Sequence, residues 1–162
     1  MKHIILLGSP IEIGLRISII MDAYNPRFLS PNELLFLDYI LIHCSEFYND
    51  FVSDYPSNNF RTSDITERKA NLRKALLMYM QKGIIIAKLT PNGTVYRTGG
   101  KYPAFIKSLD NEFVNQLLRI AQKIFLEEQG KTLNDLYIMW RDSVNKTRNA
   151  IGIPLLEEVI YE

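Results

Sequence analysis

A mainly helical α+β fold follows from three features of the sequence. Ser9-Pro10-Ile11-Glu12 and Ser30-Pro31-Asn32-Glu33 each set a hydroxyl at an N-cap position, a proline at the first helical position and a carboxylate at the third, so two orphan amides can be satisfied reciprocally at each helix start. Apolar residues then recur at helical spacing through most of the chain. The exception is a pair of β-prone runs, 84–88 and 94–98, around Pro91-Asn92-Gly93 with Gly99-Gly100 closing the second, which reads as a hairpin.

The first element, 11–24, carries a conflict. Ile11, Ile13, Leu15, Ile17 and Ile19 alternate as in a half-buried strand, yet the cap favours a helix, and a helix this apolar has to be buried by several neighbours. The second, from Asn32 to about Phe47, has Leu34, Leu37, Leu41 and Cys44 on one stripe, widened by Leu35 and Ile40. Residues 49–61, rich in Asn, Asp, Ser and Pro, read as a surface loop. Helix resumes at Asp64 or Thr66, with Ile65, Leu72, Leu76 and Tyr79 on its inner face and Gly83 as a left-handed terminator ahead of the hairpin.

A short turn at 103–108 leads to a helix capped by Asp110, whose inner face is Phe113, Leu117, Ile120 and Ile124, broadened by Leu118, Ala121 and Phe125 as far as Gly130. Thr132 and Asp135 open the next, with Leu133, Leu136, Tyr137, Trp140 and Val144 as a stripe and a frayed basic end at 146–149. The last eleven residues are apolar but too few to form a core. They have to dock on this domain or on another chain. Three helices, a two-stranded wing and further helices give the order of a winged helix: a core over 1–109 and a C-terminal helical extension and tail over 110–162, packed as one compact unit.

Composition excludes several classes. With 162 residues, 47% of them hydrophobic, the chain can bury about two-thirds of its surface without staples. One cysteine and two histidines exclude a disulfide framework and leave too few soft ligands for a zinc finger. No run approaches the roughly twenty apolar residues of a membrane span, and the protein is expected to be cytoplasmic. A net charge of +1 places any nucleic-acid contact on a local patch.

No catalytic set is predicted, nor a metal or cofactor. The glycines fall at caps and turns rather than in phosphate-loop spacing. His43 and Cys44 are adjacent, so on a helix they point about 100° apart, and Cys44 reads as a structural core residue. Asp38, Tyr39 and His43 share a region of one helix and read as a polar patch that fixes packing or meets a partner, ahead of general acid–base work.

Candidate DNA-contacting residues are Arg61, Arg68, Lys69, Arg73 and Lys74 on and before the third long helix, with Arg97 and Lys101 at the wing. The same side chains also suit a solvated face or a protein interface. Aromatic and apolar residues suited to anchoring a partner are Tyr39, His43, Trp140, Leu155, Leu156 and Tyr161, although Trp140 and the tail could equally dock at home.

The stretches SPIEIGLRISIIMDAY, NELLFLDYILIHCSEF, NFRTSDITERKANLRKALLMYMQKGII and TVYRTGGKYPAFIKSLDNEFVNQLLRIAQKI resemble the middle component of ABC-three-component systems, the small subunit of Lamassu-type prokaryotic defence operons. The resemblance runs from about Ser9 to about Ile124 and is most distinctive over Leu37 to Phe47. It implies an accessory subunit without enzymatic activity that bridges an SMC-like coiled-coil ATPase and an effector nuclease, acts against phage or plasmid DNA, and contacts DNA through the complex. The residues also fit a second function, a free-standing winged-helix DNA-binding regulator.

Overall fold

The computed structural model describes residues 9–52, 65–150 and 152. In chain order these form α1 (Pro10–Tyr24), α2 (Pro31–Ile42), α3 (Cys44–Phe47), α4 (Ile65–Gln81), β1 (Ile85–Thr90), β2 (Gly93–Thr98), α5 (Tyr102–Ser108), α6 (Glu112–Glu128) and α7 (Leu133–Ala150). The protein is mainly helical with one antiparallel hairpin.

The cap decides the first conflict in favour of a helix. Ser9 Oγ accepts from the Glu12 amide at 3.2 Å, and every residue from Ile13 to Met21 is buried, because α1 is packed by α2, α4, α6 and β2. A segment surrounded on all sides has no polar face, so its period-two alternation carries no strand information. Gly14 makes the α1–α4 approach possible: a Cβ there would stand 2.1–2.5 Å from the Tyr79 ring. Beyond that contact Tyr79 Oη donates to the Ile11 carbonyl at 2.7 Å.

At α2 both halves of the capping box form, with the Glu33 amide donating to Ser30 Oγ at 3.2 Å and the Ser30 amide to Glu33 Oε1 at 3.1 Å. The helix is buried from Leu34 to its end. It stops five residues short of the expected Phe47, because His43 (φ −105°, ψ 33°) leaves helical geometry and the chain resumes as the single turn α3. Downstream, α4 ends as expected at Gly83 (φ +73°), where the Ile84 amide reaches the Tyr79 carbonyl and the Gly83 amide the Met80 carbonyl, both at 3.0 Å.

The hairpin turns through Pro91 and Asn92 and pairs Ile85 with Thr98 through to Thr90 with Gly93. Leu29, between α1 and α2, adds a one-residue antiparallel bridge to Tyr96, with both backbone bonds at 2.8 Å. The sheet's inner side carries Leu29 and Ile85, which are buried in the core.

Two expectations near the C-terminal helices are corrected. Asn111, not Asp110, caps α6, since Asn111 has the extended backbone an N-cap needs and its side chain accepts from the Val114 amide at 2.9 Å. The basic end of α7 is helical to Ala150 rather than frayed, with Ser143 and Val144 buried a turn or two earlier. The Thr132–Asp135 start forms as expected, with reciprocal bonds of 3.2 and 2.9 Å. One hydrophobic core draws residues from α1, α2, α4, α6 and α7 together. Of the loop expected over 49–61 only 49–52 are described; Arg61, Leu155, Leu156 and Tyr161 lie outside the described residues.

Candidate functional site

The most concentrated polar chemistry is inside the helical layer. Arg16 of α1 has no exposed surface and Asp38 of α2 is 4% exposed. They meet side-on, with Arg16 Nε to Asp38 Oδ1 at 2.6 Å and Nη2 to Oδ2 at 3.0 Å. Glu12 lies one turn before Arg16, 3.9 Å away. Arg68 approaches from α4, its Nη2 3.7 Å from Asp38 Oδ2 and its guanidinium 5.7 Å from the centre of the Tyr39 ring. Burial lowers the Arg68 pKa below the ordinary arginine value while Asp38 opposes the change and Arg16 adds to it; an arginine nonetheless keeps its proton.

A second branch runs from Tyr39 toward α7. Ser143 Oγ donates to Glu46 Oε2 at 2.5 Å. A hydroxyl has one proton to give, so in the 2.7 Å contact between Tyr39 and Ser143 the phenol is the donor. His43 packs against Tyr39 with ring centres 4.3 Å apart and the planes tilted by 52°. Ser143 is 6% exposed, which leaves little room for a substrate beside Oγ. This branch ties α2, α3 and α7 together through hydrogen bonds.

A second buried acid, Glu128, is also engaged by its own chain. Its carboxylate accepts from Tyr48 Oη at 2.9 Å and faces Lys131 Nζ at 2.9 Å. Burial first, then the Glu128 charge, pushes the Tyr48 phenol well above its ordinary range. Among the described residues no group of three or more His, Cys, Asp and Glu is placed to hold a metal ion.

Several of the expected site residues face inward. Tyr39 is fully buried and His43 is 7% exposed, so both are covered by their own chain and offer no surface to a partner. The reason is that α7 lies on α2, which a single stripe on either helix could not reveal. Trp140 is half-buried, 5.7 Å from Phe36 and 5.8 Å from Tyr137 between ring centres, so most of it docks at home. Arg68 is engaged with Asp38 rather than standing on an open face. Arg73, Lys74 and Lys101 are exposed, and Lys69 and Arg97 half-exposed. Arg73 lines a cleft of about 700 Å³ between the start of α2, α4 and the hairpin, with Leu77, Met80 and Val95.

Sequence reasoning missed Arg16, Glu46, Ser143 and Glu128. Arg16 had a legible signal: it is the one charge amid Gly14-Leu15 and Ile17–Met21, as Asp38 is between Leu37 and Tyr39 in an equally apolar helix. Two opposite lone charges on two buried helices have to find each other.

The architecture and this inward-facing network define a small, mainly helical α+β domain organised around a buried arginine–aspartate pair. The chain belongs to the ABC-three component (ABC-3C) system Middle Component 2 family, which matches residues 6–149. The match takes in α7 and Trp140, which the resemblance in sequence, ending near Ile124, had left outside. No curated protein and no solved structure matches the chain. No helix among the described residues is long and apolar enough to cross a membrane.

Proposed function

We propose that this chain is a non-catalytic accessory subunit of a cytoplasmic Lamassu-type defence complex, in which it bridges an SMC-like ATPase and an effector nuclease directed against phage or plasmid DNA. The observation that carries this reading is its membership of a middle-component family over nearly its whole length. The inward closure of its polar network supports it, because Asp38, Tyr39 and Ser143 are engaged with one another's helices instead of with a pocket. Exposed apolar side chains supply surface for partners: Leu89 at the hairpin tip is 85% exposed and Leu77 on α4 is 56% exposed.

The scaffold is read as a winged helix. Supporting that reading, Leu29 supplies a third-strand position beside the two-stranded wing, and α4 precedes the wing as a recognition helix would. The decisive experiment is co-purification of the full chain with the ATPase and effector encoded beside it. A ternary complex that falls apart when this chain is omitted is expected. A chain that stays monomeric and binds neither protein overturns the bridging role.

The free-standing DNA regulator is favoured by one observation, the exposed Arg73 and Lys74 on α4. A regulator has to prefer its own operator over unrelated duplex by about a thousandfold or more. A bridging subunit binds DNA weakly alone and shows no such preference.

A further inference from the structure

The near-zero net charge conceals a strong separation. Residues 68–109, which form most of α4, the hairpin and α5, hold nine Lys and Arg and no Asp or Glu; the remaining 120 residues hold ten basic and eighteen acidic side chains. One quarter of the chain thus carries +9 and the rest −8. Arg68 pairs with Asp38. None of the other eight cations has a carboxylate within ion-pair reach among the described residues, whereas Arg27, Arg119, Lys123, Lys131 and Arg141 outside the stretch are all paired.

Two of these cations are held in place. The Leu29–Tyr96 bridge sets Phe28 beside Arg97 on the outer side of the small sheet, and the β1–β2 register puts Lys88 diagonally across from Arg97. The Arg97 guanidinium lies 4.6 Å and Lys88 Nζ 5.4 Å from the centre of the Phe28 ring. The ring's negative face attracts both and holds like charges close together. Arg73 and Lys74 stand on the α4 flank and outer side, and α4 is 17 residues long. That is about 25 Å, enough to follow several phosphates spaced about 3.4 Å apart along one strand.

We infer that this surface binds the phosphodiester backbone of nucleic acid independently of sequence, with Lys88 and Arg97 as anchors preset by Phe28 and with Arg73 and Lys74 as a second row. A protein partner is a poorer fit, since protein interfaces lose charge at their centre, while nucleic-acid interfaces are strongly and uniformly positive. This inference stands apart from the bridging role in the proposed function.

The test is fluorescence anisotropy with the full chain and labelled mixed-sequence DNA of about 30 nucleotides, single-stranded and duplex, between about 50 and 200 mM salt. Micromolar binding to either form at the low end is expected, with a log–log salt slope of about −3 to −4, corresponding to roughly four phosphates. Lys88→Glu with Arg97→Glu weakens binding at least about tenfold and removes about 2 from the slope; Lys146→Glu, exposed on α7, changes neither. Circular dichroism checks folding, and Arg73→Glu with Lys74→Glu on exposed helix provides the same reading if the hairpin variant does not fold. No binding at the low salt end, or a slope unchanged in both variants, overturns the inference. So does displacement of DNA by poly-glutamate at equal charge concentration, which assigns the surface to an acidic protein. Absence of DNA binding by the unsubstituted chain while the ternary complex still forms overturns this inference alone, and DNA binding without a ternary complex overturns only the bridging role.

Discussion

Replacing Asp38 with alanine strands the Arg16 guanidinium in a site with no solvent contact. Taking two ions out of water costs several kcal/mol each, and the bidentate contact at 2.6 and 3.0 Å is what offsets it. Glu12, at 3.9 Å and with its side chain 21% exposed, compensates only weakly. Asp38→Ala should therefore destabilise the fold by about 3–5 kcal/mol, which for a chain of this size is about 6–20 °C in Tm. Arg16→Met combined with Asp38→Leu should recover most of the loss or exceed the native stability, because well-packed apolar groups replace both charges. Arg68 tolerates the change, its side chain being 26% exposed and able to turn to water. Urea unfolding followed by circular dichroism gives each free energy by linear extrapolation, and adding the Arg16→Met and Asp38→Leu single variants closes a double-mutant cycle with the double variant. A loss below about 1 kcal/mol for Asp38→Ala, or a double variant no better than the single one, would refute the account of a paired charge held against its desolvation.

Three further outcomes follow from the packing, the caps and the phenols. Gly14→Ala drives a methyl into the Tyr79 ring and should destabilise by about 1–3 kcal/mol through separation of α1 and α4; adding Tyr79→Leu should restore part of that loss in the same melt, and additive losses would count against the clash. Ser30→Ala removes one half of the α2 capping box and should lower stability by about 1 kcal/mol, read as a drop in Tm; no change would mean that water replaces the cap. Burial raises the pKa of Tyr24, Tyr48 and Tyr102 above the ordinary phenol range and that of Tyr79 to about 12. Because the folded values exceed the unfolded value near 10, the stabilisation is complete below about pH 10 and is lost as pH rises through the folded values; at pH 11 each of these tyrosines removes about 1.4 kcal/mol. The urea midpoint should fall between pH 9 and pH 11, with phenolate absorbance rising as the chain unfolds at the higher pH, and a flat midpoint would contradict the burial of these phenols.

Much of the fold was legible from short-range chemistry. Ser30 and Glu33, Thr132 and Asp135, and Gly83 act within a few residues of themselves, so their caps form as the sequence predicts. The boundary between Asp110 and Asn111 was not settled by residue type, since both side chains can cap and only the backbone of Asn111 is extended. Tyr39 and His43 looked like surface-capable polar residues because the helix that covers them, α7, lies about a hundred residues away in the chain. Charge offers the clearest contrast. The absence of any carboxylate from residues 68–109 is written in the sequence, but the whole-chain sum hides it, and only the sheet shows that Lys88 and Arg97 share one aromatic ring.

By itself, then, the sequence determined the starts of α1, α2 and α7, the hairpin, the family and the amount of charge on each segment, because those depend on neighbours in the chain or on composition. The tertiary structure alone decided that Arg16 meets Asp38, that Tyr79 fits over Gly14, and that Tyr39 is closed off by Ser143. Each of those contacts joins residues 22 to 104 positions apart. Local rules carry no information about such pairings, which are selected by how whole helices bury their faces and by the requirement that no charge be left in the core without its partner.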